Sequence, residues 1–170
     1  TAASGRTLSV LQHLDMGFAS DELSTAELSL PESITSSRPR LDAFYDAVTE
    51  RLASRPGMSS ATVVLVPPFS GRNGWDAFFT AEGQTARDAA ANPALDFQPV
   101  LPSYFSTMGI PIRRGRGIAA TDREGTALVA VVSRSFAERA WPRQDPIGKR
   151  FKFGHADAPS PWTSVVGVVD

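Results

Sequence analysis

Residues 104–150 constrain the fold more than any other part of the chain, because glycine and proline recur there wherever a helix or strand should end. The breaks are Gly109-Ile110-Pro111, Gly115-Arg116, Trp141-Pro142 and Asp145-Pro146-Ile147-Gly148-Lys149. Only short apolar runs remain between them, so the elements must be short and joined by tight turns. This spacing predicts a compact, turn-rich module.

Composition limits the class of protein. The chain has 170 residues, 42% of them hydrophobic and 21% charged, so it can bury a core in one domain or two small subdomains. A net charge of -1 argues against a nucleic-acid surface, and the lack of cysteine excludes disulfides and thiolate metal sites. No apolar run approaches the roughly 20 residues of a membrane span. The start, without initiator Met or signal peptide, leads us to expect a piece of a longer chain.

The clearest helix lies in the first half. Its apolar residues fall at i, i+3, i+4, i+7 and i+11 and form one stripe: Leu41, Phe44, Tyr45, Val48 and Leu52. Ser36 or Ser37 is expected to cap this helix, Pro39 to lie in its first turn, and Pro56-Gly57 to end it.

Two apolar runs flank this helix. Residues 23–30 alternate between apolar and polar types, which predicts a half-buried strand, and the β-branched run 62–66 predicts a strand covered on both faces. Strand, helix and strand would form a βαβ unit with parallel strands and a right-handed crossover.

Shorter elements follow a hinge-like loop at 67–74, where we expect a subdomain boundary. Strands are predicted over 75–80, 95–100, 127–132, 150–153 and 162–169. The last two should form an antiparallel pair. A short helix over 102–108 should end at Gly109, and Ser133 should cap another that buries Phe136, Ala137, Ala140 and Trp141. The intervening residues 81–93 are predicted to be a loop.

The residue types that carry chemistry do not form a recognisable site. His13 and His155 are the only histidines, and both are expected to be solvated. The run Arg113-Arg114-Gly115-Arg116-Gly117 fits a tight surface turn better than a phosphate or RNA contact. The turn ending Gly148-Lys149 lacks the remaining residues of a phosphate loop, and no Gly-x-Ser-x-Gly elbow is present. The sequence therefore predicts no catalytic residue, metal site or cofactor.

A cluster of aromatic residues has two possible roles. Phe69, Trp75, Phe78 and Phe79 could pack the core of the second subdomain, or some of them could form an apolar patch beside the loop at 67–74. The residue types in this loop that are enriched at binding hot spots are Phe69, Arg72 and Trp75, which we take as candidate partner-binding residues. A second loop, 83–92, is expected to reach the same surface and to be mobile.

The order of motifs along nearly the whole chain resembles one family. In the first half the motifs are Gly17-Phe18, Leu23-x-x-Ala26-x-Leu28-Ser29-Leu30-Pro31, Phe44-Tyr45, Arg51-Leu52, Pro56-Gly57 and Ala61. In the second half they are Tyr104-Phe105, Gly109-Ile110-Pro111, Gly115-Arg116, Asp122, Val131-Val132, Trp141-Pro142, Asp145-Pro146-Ile147-Gly148-Lys149-Arg150 and Val165-Val166-Gly167-Val168-Val169. Together they resemble the MacB-like periplasmic core domain of ABC transporter permeases, in particular the macrolide-exporter-like orphan permeases with a duplicated domain.

The resemblance implies an α+β fold, a porter-like βαβ half with an inserted mixed α/β lobe known as the sabre. Residues 1–20 would be a juxtamembrane stalk, 21–68 the first porter-like half and 69–170 the sabre-like lobe. The second porter half would be absent from this chain. The implied location is the extracytoplasmic face of a bacterial cell membrane. The implied partners are the transmembrane helices of the same permease, a separate or fused cytoplasmic ATPase, a second permease copy, and an adaptor or lipoprotein carrier, with no nucleic acid.

Two functions fit this resemblance. The first is a non-catalytic domain that couples cytoplasmic ATP hydrolysis to substrate or partner handling outside the membrane. The alternative is a solute- or peptide-sensing module, which would need an apolar pocket with a few convergent polar groups. An enzyme is disfavoured because the sequence offers no nucleophile and base pair.

Overall fold

The computed structural model describes residues 23–67 and 74–170, which form a mixed α+β structure. The helices in these ranges are α1 (Glu32–Thr35), α2 (Arg38–Ala53), α3 (Ala86–Ala90), α4 (Tyr104–Thr107) and α5 (Arg134–Ala140). The strands are β1 (Trp75–Ala77), β2 (Phe79–Ala81), β3 (Leu95–Phe97), β4 (Arg114–Gly115), β5 (Leu128–Ser133), β6 (Arg150–Phe153) and β7 (Thr163–Val169). The predicted α+β class is confirmed.

Strand β7 organises the five-stranded sheet. It pairs in parallel with β5 along one edge, and along the other it pairs antiparallel with β6 and then with β4. Strand β2 extends the sheet beyond β6. The predicted antiparallel pairing of residues 150–153 with 162–169 is therefore confirmed. Strands β1 and β3 form a separate antiparallel ribbon.

Helix α5 covers this sheet and closes the main core. The Ser133 hydroxyl accepts a hydrogen bond from the Phe136 amide at 3.2 Å, which confirms the predicted cap. The buried cluster consists of Phe79, Ala81, Val132, Ala137, Ala140, Trp141, Phe151, Val165 and Val168. Burial of these apolar side chains stabilises the fold by roughly 25 cal/mol per Å² of surface removed from water.

Helix α2 is confirmed, but its predicted neighbours are not. Its apolar stripe is half-buried rather than buried, and Ser37 stands at the N-cap position without a capping side-chain bond. Residues 23–30 form no strand, and of the run 62–66 only Val64 pairs, in one antiparallel bridge with Val100. The two strand predictions were wrong because a segment with a strand-like sequence becomes a strand only where another backbone pairs with it. Residues 23–67 thus contain no βαβ unit.

Two further predictions are corrected around strand β2. The predicted strand 75–80 breaks at Phe78, so that β1 and β2 enter different sheets. The predicted loop 81–93 contains α3, which Thr85 caps by accepting from the Asp88 amide. The buried Asn92 amide donates to the Phe79 carbonyl at 3.0 Å, so the loop is tied to the edge of β2 rather than free.

The arginine-rich run lies at the surface as predicted, but it forms a short strand rather than a turn. Within it, β4 crosses β7 with Gly115 opposite Gly167. Gly115 has a φ of +71°, and a Cβ atom there would lie 2.2 Å from the Val166 carbonyl oxygen. Glycine is needed at this position for two reasons: the two backbones approach closely, and φ is positive.

Candidate functional site

Trp75 is the one predicted partner-binding residue that lies within the described ranges, since Phe69 and Arg72 fall outside them. It begins β1 and remains 53% exposed. Across the ribbon it faces Phe97, and the two rings meet edge to face with centroids 5.7 Å apart. Trp75 is therefore a surface residue with one ring edge fixed by a neighbour.

A row of aromatic rings connects this surface residue to the core. Phe97 lies 4.4 Å from Phe153, which lies 5.7 Å from the buried Phe151, which lies 5.1 Å from Phe136, all between ring centroids. Aromatic pairs at such distances contribute roughly 0.5–1.5 kcal/mol beyond their buried area. The ribbon carrying Trp75 thus packs against the core through these rings.

The two roles left open for the aromatic cluster apply to different members. Phe79 is buried in the main core, whereas Trp75 and Phe78 are both more than half exposed. Trp75 belongs to β1, whereas Phe78 lies at the break between β1 and β2. Phe78 stacks on the exposed His155 ring at 5.1 Å.

The outer face of the ribbon is acidic, which the sequence reading missed. Asp76 and Asp96 are directly opposite each other in the antiparallel register, and both are exposed. A Cβ atom on Gly74 would lie 2.1 Å from an Asp96 carboxylate oxygen. Only the pairing of β1 with β3 brings these carboxylates together. They could not have been found without knowing the register of the two strands.

The arginines of the described residues around β4 are engaged with carboxylates. Arg113 and Arg134 both pair with Asp170, and Arg114 pairs with Asp145. These contacts compete with any phosphate for the guanidinium groups.

Two further ion pairs shift carboxyl pKa values. The Arg116 guanidinium donates to Asp122 and, together with the Ala119 amide, holds the pKa of Asp122 below its usual value. Hydrogen bonding from Arg150 likewise lowers the pKa of Glu82. The first pair lies within the connection between β4 and β5, and the second joins β6 to the residue that follows β2.

Other candidate sites in the described residues are weak. No group of three or more His, Asp or Glu there could hold a metal ion. A cleft of about 280 Å³ is lined by Thr49, Glu50, Ala53, Ser59, Ser60, Ala61 and Ser103. It is open to solvent, and most of its lining carries hydroxyl groups or is small. Among the described helices, none is both long and apolar enough to cross a membrane.

Comparison with solved structures gives low-identity matches. The periplasmic region of MacB from Actinobacillus actinomycetemcomitans is 16% identical with a TM-score of 0.49, covering 74% of this chain and 50% of that one. The extracellular domain of the ABC-type transporter YknZ from Gram-positive bacteria is 16% identical with a TM-score of 0.49, covering 79% of this chain and 63% of that one. The chain therefore spans about half to two thirds of these domains. Curated protein sequences give no significant match.

The family comparison covers most of the sequence. Residues 16–170 match the family described as the MacB-like periplasmic core domain. That family comprises periplasmic domains of integral membrane ABC permeases. The chain therefore belongs to the MacB-like periplasmic core domain family and is an extracytoplasmic domain of an ABC transporter permease.

Proposed function

We propose that this domain is a mechanical element that couples ATP hydrolysis in the cytoplasm to the handling of a substrate or partner protein outside the membrane. The observation that carries the proposal is the exposed Trp75 on a ribbon braced by the aromatic row. Because the row of rings continues into the closely packed core, we expect Trp75 to move together with the sheet. Binding residues held on a rigid scaffold are typical of functional surfaces.

The partner surface in this proposal is formed by Phe69, Arg72 and Trp75. Aromatic and arginine side chains are enriched at the centres of protein interfaces. The partner would be an adaptor protein, a lipoprotein carrier or the second copy of the permease. Residues 1–20 would transmit motion from the membrane, and residues 67–74 would act as a hinge between the 21–68 and 69–170 parts.

The sensing alternative receives less support. A small-molecule site buries most of its ligand in a largely apolar pocket. The cleft beside Thr49 and Ser103 is open and rich in hydroxyl groups, so it would leave a bound solute mostly in water. Within the described residues, this cleft therefore gives little support to solute recognition.

The test replaces Phe69, Arg72 and Trp75 together by alanine in the intact permease. We expect normal membrane insertion and normal assembly with the ATPase, but impaired transport. The matched control is Phe78→Ala, which removes an aromatic ring of similar exposure at the break between β1 and β2. Normal transport by the triple variant, or equal impairment by the control, would place the partner surface elsewhere.

A photo-crosslinking amino acid at position 75 or 78 gives a second measurement in cells. A protein captured from position 75 and not from position 78 is expected if the Trp75 side of the ribbon faces the partner. Capture at position 78 alone would contradict the proposed surface.

A further inference from the structure

The segment that follows α2 is connected to the Trp75 ribbon through the Gln98 side chain and one backbone bridge. The Val66 amide donates to the Gln98 side-chain oxygen at 3.3 Å, and the Gln98 side-chain nitrogen donates to the Tyr104 hydroxyl at 3.4 Å. The only backbone pairing between the two parts in the described residues is the single bridge from Val64 to Val100. The joint is therefore narrow, since a continuous strand ladder would bring several hydrogen bonds.

Gln98 stands between the two moving parts of the proposed mechanism. It follows directly after β3, whose last residue Phe97 faces Trp75 across the ribbon. On its other side it holds Val66, at the end of the segment that leads away from α2. A displacement of that segment would thus be transmitted to the ribbon by the hydrogen bond from Val66 to Gln98 and by the peptide bond between Gln98 and Phe97.

The Tyr104 side chain, to which Gln98 donates, is held in place by packing. Its side chain is 8% exposed and its ring meets the Phe105 ring edge to face at 5.1 Å. Because the phenol is held by packing, the amide of Gln98 is fixed at one end and can keep its oxygen aimed at the Val66 amide. The carboxamide suits this position since it accepts and donates in a single planar group.

We propose that Gln98 is a positioning residue that couples the α2 segment to the Trp75 ribbon and keeps the two in one resting arrangement. The inference deepens the proposed mechanical function and rests on it. It assigns the coupling to one hydrogen-bonded side chain, with Val66 and Tyr104 as its partners. Loss of this side chain should loosen the joint while leaving both parts folded.

The first measurement is amide hydrogen exchange at Val66 in the intact permease. In the Gln98→Leu variant, which keeps the volume and removes the amide, exchange should be about fivefold faster through loss of one typical hydrogen bond. Gln98→Glu keeps an acceptor for Val66 and should stay within about twofold of the wild type. The control, Gln144→Leu, changes an exposed glutamine and should have no effect. Unchanged exchange in Gln98→Leu would overturn the proposal.

The second measurement is a distance between spin labels on α2 and on the ribbon. The chain has no cysteine, so labels at Ala47→Cys and Asp76→Cys are unique within it. In a permease background freed of other cysteines, the wild type should give one narrow distance in the ATP-free state. Gln98→Leu should broaden that distance, and a distribution equal to the wild type would contradict coupling through Gln98.

A further label distinguishes failure of the proposed function from failure of this inference. A third label in the membrane region reports whether ATP moves the whole domain. If ATP moves nothing in the wild type, the mechanical function is wrong, whereas the exchange at Val66 and the width in the ATP-free state still decide the role of Gln98.

Discussion

Replacing Gly115 by alanine should destabilise the chain through a backbone collision rather than through loss of packing. Gly115 faces Gly167 where β4 crosses β7. A Cβ on Gly115 would lie 2.2 Å from the Val166 carbonyl oxygen, and one on Gly167 would lie 2.1 Å from the Arg116 carbonyl oxygen. Neither obstacle is a flexible side-chain end, so β4 has to move away from β7.

The size of the loss follows from two contributions. Alanine at a φ of +71° costs roughly 1–2 kcal/mol. Separation of the strands breaks the bonds from the Arg116 amide to Val166 and from the Arg113 amide to Val168, both 2.8 Å long. These contribute about 1 kcal/mol each. We expect Gly115→Ala to lower the free energy of unfolding by about 3–4 kcal/mol.

Gly125 provides the matched control. Its φ is +86°, and a Cβ there would meet nothing within 4 Å. Gly125→Ala should therefore cost only the backbone term of roughly 1–2 kcal/mol. Urea unfolding followed by tryptophan fluorescence, to which the buried Trp141 contributes, measures both variants. Equal losses for the two variants would refute the reasoning that close strand approach, and not φ alone, requires glycine at 115.

Two further predictions concern the long helix and pH. Phe44→Ala should lower the free energy of unfolding by about 1–2 kcal/mol, because Phe44 is only half-buried. A fully buried phenylalanine would lose roughly 3–5 kcal/mol. A loss of that size in urea unfolding would mean that the apolar stripe of α2 is covered. Asp122 is only 11% exposed on its side chain, and Arg116 lowers its folded-state pKa. Its contribution to stability should be present above the unfolded pKa of about 4 and be lost as pH falls through the folded pKa. Asp122→Asn should therefore be less stable than wild type at pH 7 and should lose this difference in acid; a difference independent of pH would contradict the assignment.

The sequence determined the elements whose bonding is local. Helix α2 follows from its apolar stripe, and the start of α5 follows from the Ser133 cap, because a helix pairs its own backbone within four residues. The end of α4 at Gly109, with a φ of +66°, is likewise a local signal. Family membership also followed from the order of such motifs.

Only the tertiary structure decided which extended segments become strands and which side chains meet. The run 62–66 has strand-forming residues but is left with one bridge at Val64, whereas the short β1 pairs fully with β3. A strand needs a partner that the local sequence does not specify. The exposure of Trp75, the pairing of Asp76 with Asp96 and the contacts of Gln98 all depend on that pairing, because register decides which side chains face each other across a sheet.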